Sequence, residues 1–445
     1  MQAPRSQTLL QRSARRAAGV LLLFAAIQVR AADPGDAQKL YNSGKYAQCI
    51  EMCQAAITPA ATPPMPAAAD PLRELLVVGP DVPAQEWFLL KAKAEMQIGQ
   101  YPDADKSAAA GIAVHEEFLP LYLLRHQALR MSGRDEDAAA VLAKIDDVAT
   151  QTPWHFDAPE NRVALGQFML LRGTDARKVL ETYYDRARKD DPRNFAALMA
   201  TGELALAKND PGVAADSFDA ARRVEPENPD VYWGLARAND DDPEIINAAL
   251  SKALELNPNH VESMLMIADN LITRERYKDA GEMLDKILAV NGKEPRAFAY
   301  RAVIAHLRGD HKGEEQNRAT ALSTWKTNPE VDHLIGKKLS QNYRFNVGND
   351  YQKKALTFDP NYQPAQFQLA EDLLRIGHED DGWKLADEVF KKDPYNIMAY
   401  NLVTLRDRLA RFKTLSSEHF VVRMDPHEAP VYGTRVMELL ERART

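Results

Sequence analysis

Proline punctuation constrains this chain more than any other feature. An Asp-Pro, Glu-Pro or Asn-Pro step recurs at Pro192, Pro226, Pro258, Pro329, Pro360 and Pro394. Neighbouring steps lie close to 34 residues apart, with one double interval between Pro258 and Pro329 that holds its own breaker at Asn291-Gly292 and Pro295. Proline lacks an amide donor and its ring clashes with the preceding helical turn, so each step must interrupt a helix. A fixed period near 34 is the mark of a helix–turn–helix solenoid. The expectation is that each proline stops one unit's second helix and opens the next unit's first helix at its first position.

The residues between the prolines repeat as well. In Phe195–Pro226, Gly202 is the small residue expected where two helices cross, Ala214 is its partner, and Phe218 and Ala221 follow at helical spacing. Val261–Gly292 repeats this with Ala268, Ala280 and Leu284, and Val231–Pro258 with Leu235-Ala236, Leu250 and Ala253. Gln363–Pro394 carries Leu369-Ala370 and Gly382. This pattern resembles the tetratricopeptide repeat. Closely packed antiparallel helices need small side chains where their axes cross. A single hairpin cannot bury its own face, so the array is stable only when stacked.

The resemblance implies an all-α, right-handed solenoid of about nine or ten hairpins. Degenerate units are Glu160–Pro192 with Gly166, Tyr184 and Ala187, Ala297–Pro329 with Ala305 and Gly309, and Val331–Pro360 with Gly336, Gly348 and Ala355. Upstream, Gly44-x-Tyr46, Gly99-x-Tyr101 and Gly133 read as further hairpin turns. Four regions are expected: a signal peptide at 1–31, degenerate hairpins at 32–157 with a Pro/Ala-rich loop at 58–83, a regular array at 158–411, and a strand and helix at 412–445.

The first 31 residues read as an export signal. Arg5, Arg12, Arg15 and Arg16 form a positive start without acids, an apolar run spans Ala17 to Val29, and Val29-Arg30-Ala31 supplies a cleavage pattern. The run is short for a membrane span; a buried N-terminal helix is the competing reading. Cleavage removes five arginines and shifts the net charge from −8 to −13. So acidic a chain repels phosphate backbones and anionic lipids, which disfavours nucleic-acid binding. The prolines between Pro59 and Pro83 cannot continue a helix, leaving a loop or a proline-rich ligand segment. The only cysteines, Cys49 and Cys53, are four apart on one helical face; they read as small buried residues, with a strained disulfide as the alternative.

A search for chemistry finds none. His115-Glu116-Glu117, His378-Glu379 and His427-Glu428 each lack the second histidine that a zinc-peptidase helix places four residues on. His306 and His311, five apart, are expected to diverge from a shared helical face. Cys49 and Cys53 lack metal or redox spacing. Asp240-Asp241-Asp242 precedes Pro243 and reads as a helix cap, because a calcium loop needs more oxygen ligands. No nucleophile elbow, P-loop or dinucleotide fingerprint occurs. No enzymatic activity, metal or cofactor is expected of this chain.

In tetratricopeptide arrays the first helix of each pair lines a concave groove. The resemblance places Met199, Glu203 and Leu206 there, then Leu265, Asp269 and Ile272, then Phe367, Glu371 and Leu374. An acid between two apolar residues recurs, broken by Arg237 in the intervening unit. Such a groove suits protein or peptide partners with basic and apolar anchors; an ordinary solvated helix face is the alternative. The Lys, Asn and Arg set of co-chaperone repeats is missing from the clean units. After Ala410 the pattern changes. His419–Met424 reads as one β-strand without a partner nearby, Asp425-Pro426 ends it, and a helix runs from about Glu428 to Arg444. That segment resembles the opening of gluzincin-like peptidase domains that follow tetratricopeptide arrays in some exported bacterial proteins, though it holds no zinc ligand. The expected function is an exported, periplasmic or secreted, non-catalytic interaction scaffold. The alternative is the repeat half of a truncated or split exported metallopeptidase-like protein. A terminal helix capping the solenoid is the plainer reading of the tail.

Overall fold

The computed structural model describes residues 33–58, 84–151, 158–239 and 242–444. The expected signal peptide, the proline-rich stretch 59–83 and Asp240-Asp241 lie outside the described residues. Within them, ten antiparallel helical hairpins follow one another. Their helix pairs are Pro34–Asn42 and Tyr46–Ile57, Gln85–Gln97 and Tyr101–Val114, and Leu119–Met131 and Asp135–Gln151. In the fourth hairpin Pro159–Leu171 pairs with Ala176–Val179, a π-helical turn at Leu180–Tyr184 and Asp185–Asp190. Next come Phe195–Ala207 with Pro211–Val224, Pro229–Ala238 with Pro243–Leu256, and Val261–Thr273 with Tyr277–Val290. Pro295–Leu307 with His311–Ala321, Pro329–Gln341 with Phe345–Phe358, and Gln363–Arg375 with Glu379–Lys392 complete the array. The helix Ile397–Leu409 then stacks on the tenth hairpin.

Two kinds of turn recur among the described residues. Inside nine of the hairpins the first helix ends on a residue with positive φ: Gly44, Gly99, Gly133, Gly173, Gly309 and Gly377, or Asn209, Glu275 and Tyr343. The next amide then bonds five residues back, as Lys45 does to Leu40, Asp210 to Ala205 and Asp310 to Ala305, all at 2.9 Å. This is the left-handed cap that closes orphan carbonyls at a helix end. Between hairpins a four-residue β-turn is closed by the bonds Asn194 N to Asp191 O, Asn228 N to Glu225 O, His260 N to Asn257 O, Tyr362 N to Asp359 O and Asn396 N to Asp393 O. Proline holds the second position of each, which its fixed φ suits. This corrects the expected helix-opening role: of the six periodic prolines only Pro329 starts a helix. Caps open the helices instead, as with Asn194 accepting from the Ala197 amide and Asp242 from those of Glu244 and Ile245.

The cores run continuously from hairpin to hairpin. Phe218 is fully buried, and a Cβ added at Gly202 or at Gly234 would come within 2.7 Å of its ring. Two glycines on neighbouring first helices therefore make the slot that this phenylalanine fills. Ala214, on the same helix as Phe218, is also fully buried. Cys49 and Cys53 are buried free thiols in the first hairpin, so no disulfide joins them.

The array winds back onto itself. The turn of the first hairpin meets the linker after the sixth: Asn257 Nδ2 donates to Tyr46 Oη at 3.0 Å, and Asn259 Nδ2 to the Gly44 carbonyl at 3.1 Å. The second hairpin meets the linker after the seventh through Asn291 Nδ2 and Tyr101 Oη at 3.1 Å. The third meets the linker after the eighth, where the Arg130 guanidinium lies 4.2 Å from the Trp325 ring centre and Thr327 Oγ1 donates to Asp135 at 2.8 Å. The fifth meets the linker after the tenth through Lys208 and Asp393 at 2.6 Å and the Ile397 amide bonded to the Lys208 carbonyl at 3.0 Å. One revolution thus takes between five and six hairpins.

The C-terminal unit departs from expectation. The strand does not stand alone: Lys413–Ser416 (β1) pairs antiparallel with Val421–Met424 (β2), Leu415 facing Val422. With Leu415 as its sole large apolar side chain, β1 is too short to show strand periodicity. The helix Ala429–Arg444 packs on this ribbon, with Gly433 against Leu415.

Two outcomes test this packing. Ala214→Leu overpacks the fifth hairpin and should cost about 1–3 kcal/mol, read from the urea midpoint. Gly44→Ala and Gly99→Ala each place a Cβ within 2.2 Å of an asparagine oxygen, at a φ that disfavours it. Each should lower the thermal midpoint, whereas Gly281→Ala, open to space on a helix, should not.

Candidate partner-binding groove

Because hairpins stack side by side, first helices line the inside of the winding and second helices the outside. A cavity of about 470 Å³ is walled by Trp233, Arg237, Glu262, Leu265, Asp269 and Arg296, with Tyr300, Glu330, His333, Lys338 and Tyr362. All but Tyr362, which precedes the first helix of the tenth hairpin, lie on the first helices of the sixth to ninth hairpins. A second cavity of about 500 Å³ continues it along His333, Lys337, Tyr343, Phe345, Phe367 and Glu371.

Charges on this wall pair across helices one or two repeats apart. Arg237 donates to both oxygens of Glu203 at 2.7 and 2.9 Å and lies 4.2 Å over the Trp233 ring. Arg296 grips Glu262 with two bonds of 2.7 Å and also reaches Glu294. Asp269 accepts from Tyr300 at 3.0 Å and pairs with Lys338 at 2.7 Å. Lys338 is 2% exposed, and burial pushes its ammonium below the usual lysine range. His333 is held neutral at pH 7, its pKa pulled down to about 4 by burial, while its Nδ1 contacts Gln352 at 2.9 Å.

Two acids behave otherwise. Glu330 and Glu371 are half-buried on the wall, and no ion pair within 4.0 Å joins either among the described residues. Burial raises both carboxyl pKa values, with Arg296 partly offsetting this at Glu330 and Arg375 and Lys337 at Glu371.

Of the nine groove positions expected from sequence, four line these cavities: Leu265, Asp269, Phe367 and Glu371. Glu203 sits on the same wall, bonded to Arg237. The expected break in the acid series at Arg237 is therefore its counter-ion. One position is corrected and two more lie outside these cavities. Ile272 is 0% exposed in the core of the seventh hairpin. Leu374 packs on Gly382 of its own hairpin. Leu206 packs, half-buried, with Ala205 and Ala214. Each is the penultimate residue of its first helix, where the hairpin turn folds the second helix back over it. Met199 bridges two apolar clusters beside Phe218 and Val231. Sequence reading missed Trp233, Arg296, Tyr300, Glu330, His333 and Lys338; the 34-residue offset from Glu262 to Arg296, the same as from Glu203 to Arg237, was the available signal.

The structure also overturns the expected divergence of His306 and His311. They belong to different helices of the eighth hairpin, and the turn at Gly309 brings their rings to 5.8 Å.

A tetratricopeptide-repeat family profile matches residues 174–221 and 200–261, so the chain carries tetratricopeptide repeats. No curated protein matches it. Among solved structures it is similar to the APC/C hetero-tetramer Cut9–Hcn1, at 15% identity over 82% of this chain and 74% of that one, with a TM-score of 0.43. It is similar to yeast Tom70 at 12% identity over 84% and 95%, TM-score 0.38. It is similar to MamA at 18% identity over 37% and 96%, TM-score 0.29. Among the described residues no helix is long and apolar enough to cross a membrane.

Behind the groove, Asp372 is fully buried and accepts from Ser340 at 2.9 Å and Gln368 at 3.1 Å. Burial outweighs those bonds and pushes its pKa up to about 6. The folded chain therefore holds this proton more tightly than the unfolded one, and stability falls as pH rises from about 4 through 6. Asp372→Asn removes that dependence. Its thermal midpoint relative to the parent should be highest at pH 8 and lose about one to two degrees of that advantage by pH 5.

Proposed function

We propose that this chain is an exported, non-catalytic scaffold that holds an extended segment of a partner protein along its inner groove. The observation that carries the reading is the pair of half-buried acids, Glu330 and Glu371, beside Leu334, Tyr362 and Phe367. The other groove acids already have protein cations: Arg237 for Glu203, Arg296 for Glu262 and Lys338 for Asp269. A desolvated carboxylate without a counter-ion favours an incoming cation, and the aromatic and aliphatic neighbours favour an apolar one beside it. The partner segment therefore carries basic and apolar anchors. Export rests on the arginine-rich start, the apolar run and Val29-Arg30-Ala31; N-terminal sequencing from an envelope fraction should begin at Ala32, and intact Met1 in cytosol would overturn it.

Fluorescence anisotropy with a synthetic peptide of alternating Lys and Leu, against one of Glu and Leu, tests the groove. The basic peptide should bind and the acidic one should not. Affinity should weaken as pH falls through the raised pKa values of Glu330 and Glu371, because protonation removes the attraction. Glu330→Gln with Glu371→Gln should weaken binding about tenfold or more and flatten the salt dependence. Equal binding of both peptides, or an unchanged double variant, contradicts the reading.

A second reading concerns the C-terminal unit. Val421, Val431, Tyr432 and Leu439 stay exposed on its ribbon and helix, as expected of a unit that packs against further structure. In that reading the chain is the repeat half of an exported metallopeptidase-like protein. The coding sequence after the Thr445 codon decides it: a continuation encoding His-Glu-x-x-His supports it, and unrelated sequence removes it.

A further inference from the structure

The turn of the eighth hairpin gathers three metal-ligating side chains. His306 lies in the last turn of the first helix, His311 opens the second, and Glu314 follows one turn on. Gly309, at φ +77°, reverses the chain between them, and Asp310 caps the second helix by accepting from the Gly313 amide at 2.9 Å. Glu314 Oε2 lies 2.9 Å from His306 Nδ1 and 3.4 Å from His311 Nδ1. One ligand atom from each of the three residues falls within 4.8 Å of the other two. A tetrahedral ion about 2.1 Å from each ligand needs ligand atoms about 3.4 Å apart. The two histidine–carboxylate distances, 2.9 and 3.4 Å, already lie near that spacing.

The carboxylate is held from behind. Tyr351 of the ninth hairpin is buried and donates to Glu314 Oε1 at 2.6 Å, which leaves Oε2 directed at the histidines. An oriented carboxylate with a fixed outer partner is the arrangement that tunes metal ligands. The set is graded in exposure: the His306 and Glu314 side chains are 13% and 11% exposed, and that of His311 is 78%. Two ligands are thus preorganised inside the hairpin, and the third closes from solvent.

We propose that His306, His311 and Glu314 bind one divalent transition-metal ion of the zinc class, with the fourth position taken by water. Two imidazoles and one carboxylate suit zinc, cobalt or nickel, whereas magnesium and calcium require oxygen ligands. All three ligands fall within one hairpin turn, so the ion pins the two helices of the eighth hairpin together and, through Tyr351, to the ninth. The site is separate from the groove and independent of the peptide-binding reading.

Tag-free full-length protein, stripped with chelator, is titrated with cobalt(II) and followed by its visible absorption, then challenged with zinc. One equivalent of cobalt should bind with four-coordinate bands that zinc abolishes, and zinc should raise the thermal midpoint. His311→Ala, at an exposed position, should leave the circular dichroism spectrum unchanged and weaken binding at least tenfold. Tyr351→Phe, which keeps the buried ring but not the bond to Glu314, should weaken it by roughly 10–100-fold. The proposal is overturned if the parent binds no stoichiometric cobalt or zinc, or if His311→Ala and His306→Gln bind it as the parent does.

Discussion

The edge-to-edge contact between successive revolutions is the constraint on which the rest of this structure depends. Stacked hairpins touch only their neighbours, and such an array is a spring whose pitch is free to drift. Here Tyr46 with Asn257, Tyr101 with Asn291, Arg130 with Trp325 and Lys208 with Asp393 tie one edge of the ribbon to the other. The device is economical. The first residue of the inter-hairpin β-turn is Asn257, Asn291, Trp325 or Asp393, and its side chain points at a hairpin turn one revolution away. Asn257 and Asn291 serve both sides, since Oδ1 accepts from the amide two residues on within the turn while Nδ2 donates across the revolution. Burial raises the Tyr46 hydroxyl to about pKa 12, so its bond stays neutral at physiological pH.

A fixed pitch fixes the groove. Because the clasps hold the helices of the fifth to tenth hairpins in register, residues 34 apart face each other at constant distance. That is why Arg237 meets Glu203 and Arg296 meets Glu262 with two-bond geometry. These pairs cancel most of the charge that the acidic composition puts on the inner wall. The groove's selectivity then falls to the few positions left uncancelled, Glu330 and Glu371, and to the aromatic rings between them. Partly buried ion pairs of this kind contribute little net stability, because desolvation offsets attraction. Their main effect is on which partners are accepted.

The fold was largely legible, and the site only partly. Proline spacing and the small residues Gly202 and Ala214 disclosed hairpins because helix crossing is a local constraint. Hairpin turns at Gly44, Gly99 and Gly133 were visible, whereas those at Asn209, Glu275 and Tyr343 adopt the same positive φ without the residue that advertises it. Groove positions were counted along the first helices from the repeat resemblance, which took Leu206, Ile272 and Leu374 as inward-facing. That count knows nothing of the returning second helix that covers them. The same blindness separated His306 from His311: a spacing of five diverges on one helix but converges across a reversal. The partner of β1 was hidden because four residues with one apolar side chain carry no alternation.

The clasps also change how such a chain must assemble. Asn257 lies 211 residues from Tyr46, and Asn291 lies 190 from Tyr101. Repeat arrays are expected to fold from any hairpin outward, with rates set by short-range contacts. Here the first hairpin completes its contacts only after the linker beyond the sixth has been synthesised and ordered. Winding therefore joins the two ends of the process in a late, cooperative step. The N-terminal hairpins, the most degenerate in sequence, would then owe part of their order to linkers that the ribosome delivers some two hundred residues later.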